Sequence, residues 1–290
     1  MSAREALPLT PSRLRAWPLP APDGDKNSRG TVLVVGGSRA TPGAVLLAGL
    51  AALRAGAGKL QIATTQSTAV ALGVATPEAM VAGFPETPAG ALVGRAPEQL
   101  AEMVAQADVV LLGPGLVDVD ETAALLEDVL QSVGDEAALV LDAYALGAVA
   151  GRPELLRGRA QAPVLTPNLD EGAMLLGREL GDDLDRAAAQ LAEKYDSVVS
   201  LFGHIADPDK NAWRDETDTS GLGTSGSGDV AAGLVAGLLA RGASPAQAAC
   251  WGIHVHAAAG QRLAVKHGRA SYLAREIVDE IAPALGALEA

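Results

Sequence analysis

The run Thr31-Val-Leu-Val-Val-Gly-Gly37 is short, apolar and rich in β-branched residues, and two glycines stop it. That is the pattern of a buried strand running into a tight turn. Gly43 to Gly56 is Ala- and Leu-rich with no proline, which predicts a helix, and Lys59-Leu-Gln-Ile-Ala63 reads as a second strand. The rhythm recurs downstream. Asp108 to Leu112 reads as a strand ending at Gly113-Pro-Gly115, Asp120 to Leu130 as a helix, and Ala138 to Leu141 as a strand ending at Asp142. Pro163 to Leu165 reads as a further strand, ending at Thr166-Pro167. Buried strands alternating with helices predict an α/β fold, a mainly parallel sheet covered by helices on both faces. Ligands then bind at the carboxyl ends of the strands, where the glycines and prolines fall.

Beyond this repeat, Ser197 to Phe202 and Ile205-Ala206 predict a strand pair with a polar turn at Asp207-Pro-Asp-Lys210, a β-hairpin edge. Helices are expected over Asp229 to Arg241, from Ser244 or Pro245 to about Val265, and over Ser271 to Leu285. A Pro-rich lead-in over residues 1–25 and a single domain over 26–290 are expected, because no repeat or long linker marks a second unit.

With 290 residues, 49% of them hydrophobic, the chain can bury a full core. The formal net charge of −13 is spread over short stretches rather than gathered in a tail. Such a field repels nucleic acid, so the phosphates of a nucleotide must be held by local N–H groups, helix dipoles and Mg²⁺. Cys250 stands alone, which excludes an internal disulfide or a thiolate metal cluster. Met1 to Pro20 carries Arg4, Arg13 and Arg15 but no apolar signal-peptide core, and no run of about 18 apolar residues occurs. The expectation is a cytoplasmic protein, neither secreted nor membrane-spanning.

The densest unusual string is Gly221-Leu-Gly-Thr-Ser-Gly-Ser-Gly-Asp229, which runs straight into an apolar helix. Glycines here let successive N–H groups point one way at a helix N-terminus, making an anion hole for a phosphoryl group. Gly226, Ser227 and Gly228 are therefore expected to bind nucleotide. Asp229, beside the hole, can accept a proton from a hydroxyl as that oxygen attacks phosphorus. A plainer alternative is that Asp229 caps the helix. No Walker A string occurs and no lysine lies in the loop.

Gly-Ser-Gly-Asp-Val before a small-residue helix resembles the C-terminal signature of the NAD(P)H-hydrate dehydratases, relatives of the ribokinase-like kinases. Lys26 to Gly37, Arg54 to Gly58, Thr76-Pro-Glu78, Leu112 to Leu116, Leu139 to Ala143 and Leu165-Thr-Pro167 agree in order and spacing, so the match spans roughly Lys26 to Leu285. The resemblance implies a ribokinase-like fold and an ATP- or ADP-dependent enzyme, aided by Mg²⁺. Its substrates would be the hydrated nicotinamide cofactors NADHX and NADPHX, and its assembly a homo-oligomer, with a tetramer among the options. It also implies that Ala44, Gly115, Asn168 and Asp229 contact the hydrate and that Gly228 contacts the nucleotide.

Two segments depart from that family. Thr166-Pro-Asn-Leu-Asp-Glu171 places Asn168 where the family carries a substrate-contacting histidine, and brings the segment closer to the Pro-Asn-x-x-Glu pattern of ribokinase-like sugar kinases. Ser200-Leu-Phe-Gly-His-Ile205 stands where a Lys-Gly-Ala-x-Thr nucleotide loop is expected, and the lysine is missing. His204 is open between a substitute contact and a turn residue. Asp142 is open between a ligand contact and an N-cap for the helix at Tyr144. His254 and His256, two apart on a helix, point to different faces and read as packing residues. A sugar or vitamin kinase of the same fold, or a nucleotide-binding protein that has lost catalysis, remain alternatives.

Overall fold

Alternating apolar strands and helices build one sheet with two cores in the computed structural model, which describes residues 5–21, 24–217 and 221–290. Arg4 lies outside them. In chain order the elements begin β1 (Leu7–Pro8), α1 (Pro11–Arg15), β2 (Thr31–Val35), α2 (Gly43–Ala55), β3 (Lys59–Thr65), α3 (Gln66–Ala75), β4 (Ala79–Phe84) and α4 (Glu98–Gln106). They continue with β5 (Val109–Leu112), α5 (Val119–Ser132), β6 (Ala138–Leu141), α6 (Tyr144–Val149), β7 (Val164–Leu165), α7 (Leu169–Leu176) and α8 (Leu184–Tyr195). The chain ends with β8 (Val198–Leu201), β9 (His204–Ala206), β10 (Ala212–Arg214), α9 (Ser227–Ala240), α10 (Pro245–His267) and α11 (Ala274–Glu289).

The strand order is β1-β10-β9-β8-β7-β6-β5-β2-β3-β4. Only β9 runs against its neighbours; the other pairings are parallel. Side-chain alternation divides the sheet between two apolar layers. Val32 and Val34 of β2 enter the core formed with α2, α9, α10 and α11, while Leu33 and Val35 enter the one formed with α4, α5, α6 and α8. Each fully buried Val or Leu contributes roughly 1.5–3 kcal/mol, so a one-residue slip of β2 would exchange four such contacts for wrong ones.

From β2 the chain proceeds one way to β3 and β4, then returns to place β5 on the other side of β2. That reversal is the topological switch point, where turns diverge at the carboxyl ends and leave a crevice. The turns after β2 and β5 are the Gly36-Gly37 and Gly113-Pro-Gly115 strings of the sequence.

The hairpin differs from the expected one. β8 and β9 are joined through Phe202 and Gly203, both at positive φ (49° and 86°), and the polar turn at Asp207 to Asn211 instead leads to β10. The segment read as a lead-in supplies β1, which pairs with β10, and buries Leu9, Leu14 and Leu19.

Candidate active site

The two glycine turns at the switch point touch. A Cβ on Gly36 would fall 2.2 Å from the Pro114 carbonyl oxygen, and the Gly37 N–H donates to that oxygen at 2.8 Å. Gly115 sits at φ +71°, and a Cβ there would lie 2.9 Å from Ala44 Cβ. The Thr41 hydroxyl donates to the Gly115 carbonyl at 2.8 Å, tying the two segments together. Ala44 and Gly115, 71 positions apart in sequence, are thus neighbours at the mouth of the crevice.

The glycine string arrives from above them. The helix expected to begin at Asp229 begins at Ser227, with Gly226 at its N-cap in the left-handed region, φ 89°. A Cβ on Gly226 would meet Leu47 Cδ1 at 2.6 Å, and Leu47 lies one turn beyond Ala44 on the same side of α2. Further along, a Cβ on Gly233 would fall 2.1 Å from the Ala48 carbonyl oxygen, so α9 and α2 pack backbone against backbone and the N-terminus of α9 is fixed over the first turn of α2. A side chain at Gly228 would meet nothing within 4 Å, leaving the first turn of α9 open to a ligand.

Asp229 is the third residue of α9 and makes no side-chain capping bond, so it does not cap the helix. It is half-buried, and burial pushes its carboxyl up to about 6. A carboxylate with that affinity is ionised at neutral pH yet a much better proton acceptor than one in water.

Asp142 closes the site from β6. Its buried carboxylate accepts from the Thr166 hydroxyl at 2.7 Å. Burial pushes it up to about 7; the Thr166 contact opposes this, and the nearby carboxylates of Asp229 and Glu171 reinforce it. The helix after it is not capped by Asp142: its N-cap is Ala143, at φ 50° and ψ −122°, with no side-chain capping bond. Gly113 makes room for that corner, since a Cβ there would lie 1.8 Å from the Asp142 carbonyl oxygen.

Asn168 is exposed and forms a capping box on α7: its Oδ1 accepts from the Glu171 N–H and the Glu171 carboxylate accepts from the Asn168 N–H, each at 2.9 Å. Burial raises the pKa of Glu171 as well. Asp142, Glu171 and Asp229 have no ion-pair partner among the described residues. Nor, among those residues, is any group of three or more His, Cys, Asp or Glu side chains arranged to hold a metal on its own. Mg²⁺ commonly takes only one or two carboxylates and completes its shell with water and phosphate oxygens, which this acidic rim fits.

The histidines separate. His204 Nδ1 lies 2.6 Å from Asp185, whose other oxygen meets Arg214, so His204 belongs to the β8–β9 hairpin and its neighbours. His254 Nδ1 lies 2.7 Å from Asp215. His256 reaches the buried hydroxyl of Ser227 at 3.0 Å, a contact that helical spacing could not disclose because it joins two helices.

A large cavity lies elsewhere. It has a volume of about 1080 Å³ and opens at the amino ends of the strands, lined by residues such as Trp17, Asp108, Glu136, Val198, Trp213 and Ser244. None of the glycine turns, Asp142 or Asp229 faces it. Size and chemistry disagree here, and the converging donors and perturbed carboxyls decide for the carboxyl end.

The sequence matches the family model described as NAD(P)H-hydrate dehydratase over residues 32–283. The chain belongs to the NAD(P)H-hydrate dehydratase family. An ADP-dependent (S)-NAD(P)H-hydrate dehydratase of Xanthomonas campestris is 43% identical over 293 aligned positions, covering 97% of this chain and 96% of that protein. A bifunctional NAD(P)H-hydrate repair enzyme of Moorella thermoacetica is 38% identical over 92% of this chain, which spans 51% of it. The ADP/ATP-dependent NAD(P)H-hydrate dehydratase of Bacillus subtilis, crystallised with ATP and Mg²⁺, superposes with a TM-score of 0.83 at 27% identity, covering 99% of this chain and all of that one. A ribokinase-like superfamily protein of Enterococcus faecalis gives a TM-score of 0.83 at 23% identity over 99% of this chain and 98% of that one, so the fold is ribokinase-like. Among the described residues no helix is long and apolar enough to cross a membrane.

Proposed function

We propose that this chain uses ADP or ATP to dehydrate NADHX and NADPHX, restoring NADH and NADPH. The observation that carries the reading is the half-buried Asp229, with its carboxyl raised to about 6, next to the open Gly228 in the first turn of α9. The Gly226-Ser227-Gly228 turn holds the phosphoryl group to be transferred, with the N–H groups that the turn leaves free and the positive end of the helix dipole facing it. Ala44, Gly115 and Asn168 line the place of the hydrated nicotinamide ring.

The ring hydroxyl oxygen attacks the terminal phosphorus, the bond to the bridging oxygen breaks, and the hydroxyl proton passes to Asp229. Phosphate then replaces hydroxide as leaving group. The ring nitrogen's lone pair expels it, and loss of a proton from the adjacent ring carbon restores the dihydropyridine. Mg²⁺, held by Asp142 and Glu171 together with phosphate oxygens, would neutralise charge on the transferring group. The family lysine is absent, and His204 is engaged by Asp185. Nucleotide affinity should therefore fall steeply when the metal is chelated.

A cytoplasmic homo-oligomer fits this reading. The edge strand β4 and the exposed Val70 and Val74 of the neighbouring α3 give such an assembly an apolar surface. A kinase reading is favoured by one feature, the Asn168–Glu171 capping box in a Pro-Asn-x-x-Glu segment. Incubation with NADHX and either nucleotide separates the two. Growth of reduced-nicotinamide absorbance with release of phosphate is expected, whereas a stable phosphorylated product, or no turnover, would refute the dehydratase reading.

A further inference from the structure

Behind the first turn of α9 lies a buried histidine that the phosphoryl-transfer scheme does not use. His256 is 8% exposed and Ser227 is 5% exposed, and His256 Nε2 lies 3.0 Å from Ser227 Oγ. Ser227 is the first residue of α9, between the left-handed Gly226 and the open Gly228. Its N–H donates to the Thr224 carbonyl at 3.1 Å, so the residue also closes the turn that delivers the glycine string into the helix. Glycines flank it on both sides; Gly226 packs closely against Leu47 and Ala274 and Gly228 faces open space, so the Ser227 side chain is what ties residues 226–228 to α10.

We infer that His256 is a positioning residue for the anion hole: by hydrogen-bonding Ser227 it fixes the turn from Thr224 to Gly228, and so aims the next N–H groups of α9, those of Gly228 and Asp229, at the phosphoryl group. The inference deepens the nucleotide-binding reading and rests on it. Burial holds the imidazole neutral, its pKa lowered to about 4, with the Ser227 backbone opposing that shift only in part. A neutral imidazole offers one donor and one acceptor, which suits a hydroxyl and adds no positive charge that would compete with the phosphate's other partners. His254, two residues earlier, meets Asp215 instead, so the contact to Ser227 depends on the face of α10 on which His256 sits. Preorganised N–H groups bind an anion without the ordering cost a loose loop would carry.

The test is a double-mutant cycle read by calorimetric titration of ADP and ATP, with melting temperatures recorded in parallel. His256→Leu is expected to weaken nucleotide binding about tenfold, the size of one lost hydrogen bond. In a Ser227→Ala background the same change should cost less than about twofold, because the partner is already gone. His256→Gln, whose amide reaches the place of Nε2, should restore affinity, and the shorter His256→Asn should not. If His256→Leu does not fold, the Gln and Asn variants carry the test, and equal affinity in those two overturns the inference. Equal losses in both backgrounds, or lower melting temperatures with unchanged affinity, also overturn it. A wild type that binds neither nucleotide removes the functional reading and this inference with it.

Discussion

The two ends of the sheet are built from the same strands and differ in kind. At the amino ends lies a cavity of about 1080 Å³, with exposed acids such as Glu136 on its rim. At the carboxyl ends two glycine turns touch, a helix N-terminus opens toward them, and two carboxyls are pushed to about 6 and about 7. Burying carboxyls without counter-charge is costly, and a fold that keeps them at one end of its sheet has placed its chemistry there. Cavity volume alone would point to the other end.

The largest stability effect is expected at Gly113. Its Cβ would overlap the Asp142 carbonyl at 1.8 Å, and its φ is +129°, which a side chain rarely adopts. Gly113→Ala should cost of order 5 kcal/mol through backbone overlap and strain together. Urea unfolding reads this directly, and a loss below about 1 kcal/mol would show that the corner gives way easily.

Asp142 should give the next effect, with a sign opposite to that of a salt-bridged carboxylate. Its folded-state pKa of about 7 lies above the ordinary 3.8, so between those values the folded protein keeps a proton that the unfolded chain has released. Stability from this group therefore rises as pH falls from about 8 toward 4, and ionisation above pH 7 costs at most about 4 kcal/mol. Asp142→Asn keeps an acceptor for the Thr166 hydroxyl and removes the charge. The variant should melt several degrees higher at pH 8 and lose this part of the pH dependence; melting curves at pH 8 and pH 5 check it.

Much of this was legible in the sequence, unevenly. Thr31 to Val35 and Ala138 to Leu141 are uninterrupted apolar runs buried on both faces, and the predicted strands coincide with β2 and β6. Strand β4 escaped notice because an edge strand is half-exposed and Ala79-Met-Val-Ala-Gly-Phe84 shows neither a buried run nor a clean alternation. The short β1 was hidden in a Pro-rich segment, and its three-residue partner β10, just beyond the polar turn, carried no strand pattern of its own.

In the site, Gly226 was legible from the glycine string before α9 and Gly115 from the family resemblance, and both stand where the chain takes a left-handed turn, at φ +89° and +71°. Asp142 was harder. Its strand end was visible, but the turn after it is made by Ala143 at φ 50°, a non-glycine residue that carries no sequence mark. The Ser227–His256 contact spans 29 positions between two helices, and no local pattern encodes it.

The smallest effect is expected at the amino end. Glu136 lines the large cavity and is exposed, and Glu136→Gln should change stability by no more than about 0.5 kcal/mol and leave turnover unaltered. Loss of activity in that variant would move functional weight to the wrong end of the sheet.

The measurement that bears most directly on the assignment is kcat for NADHX with saturating nucleotide in wild type and Asp229→Asn, alongside melting temperature and nucleotide affinity. Wild-type kcat/KM should fall tenfold per pH unit below about 6, as Asp229 takes up its proton. Asp229→Asn should lower kcat by about 10²- to 10⁴-fold while fold and nucleotide binding persist. A folded, nucleotide-binding Asp229→Asn protein with kcat within about threefold of wild type would contradict the assignment of Asp229 as the base.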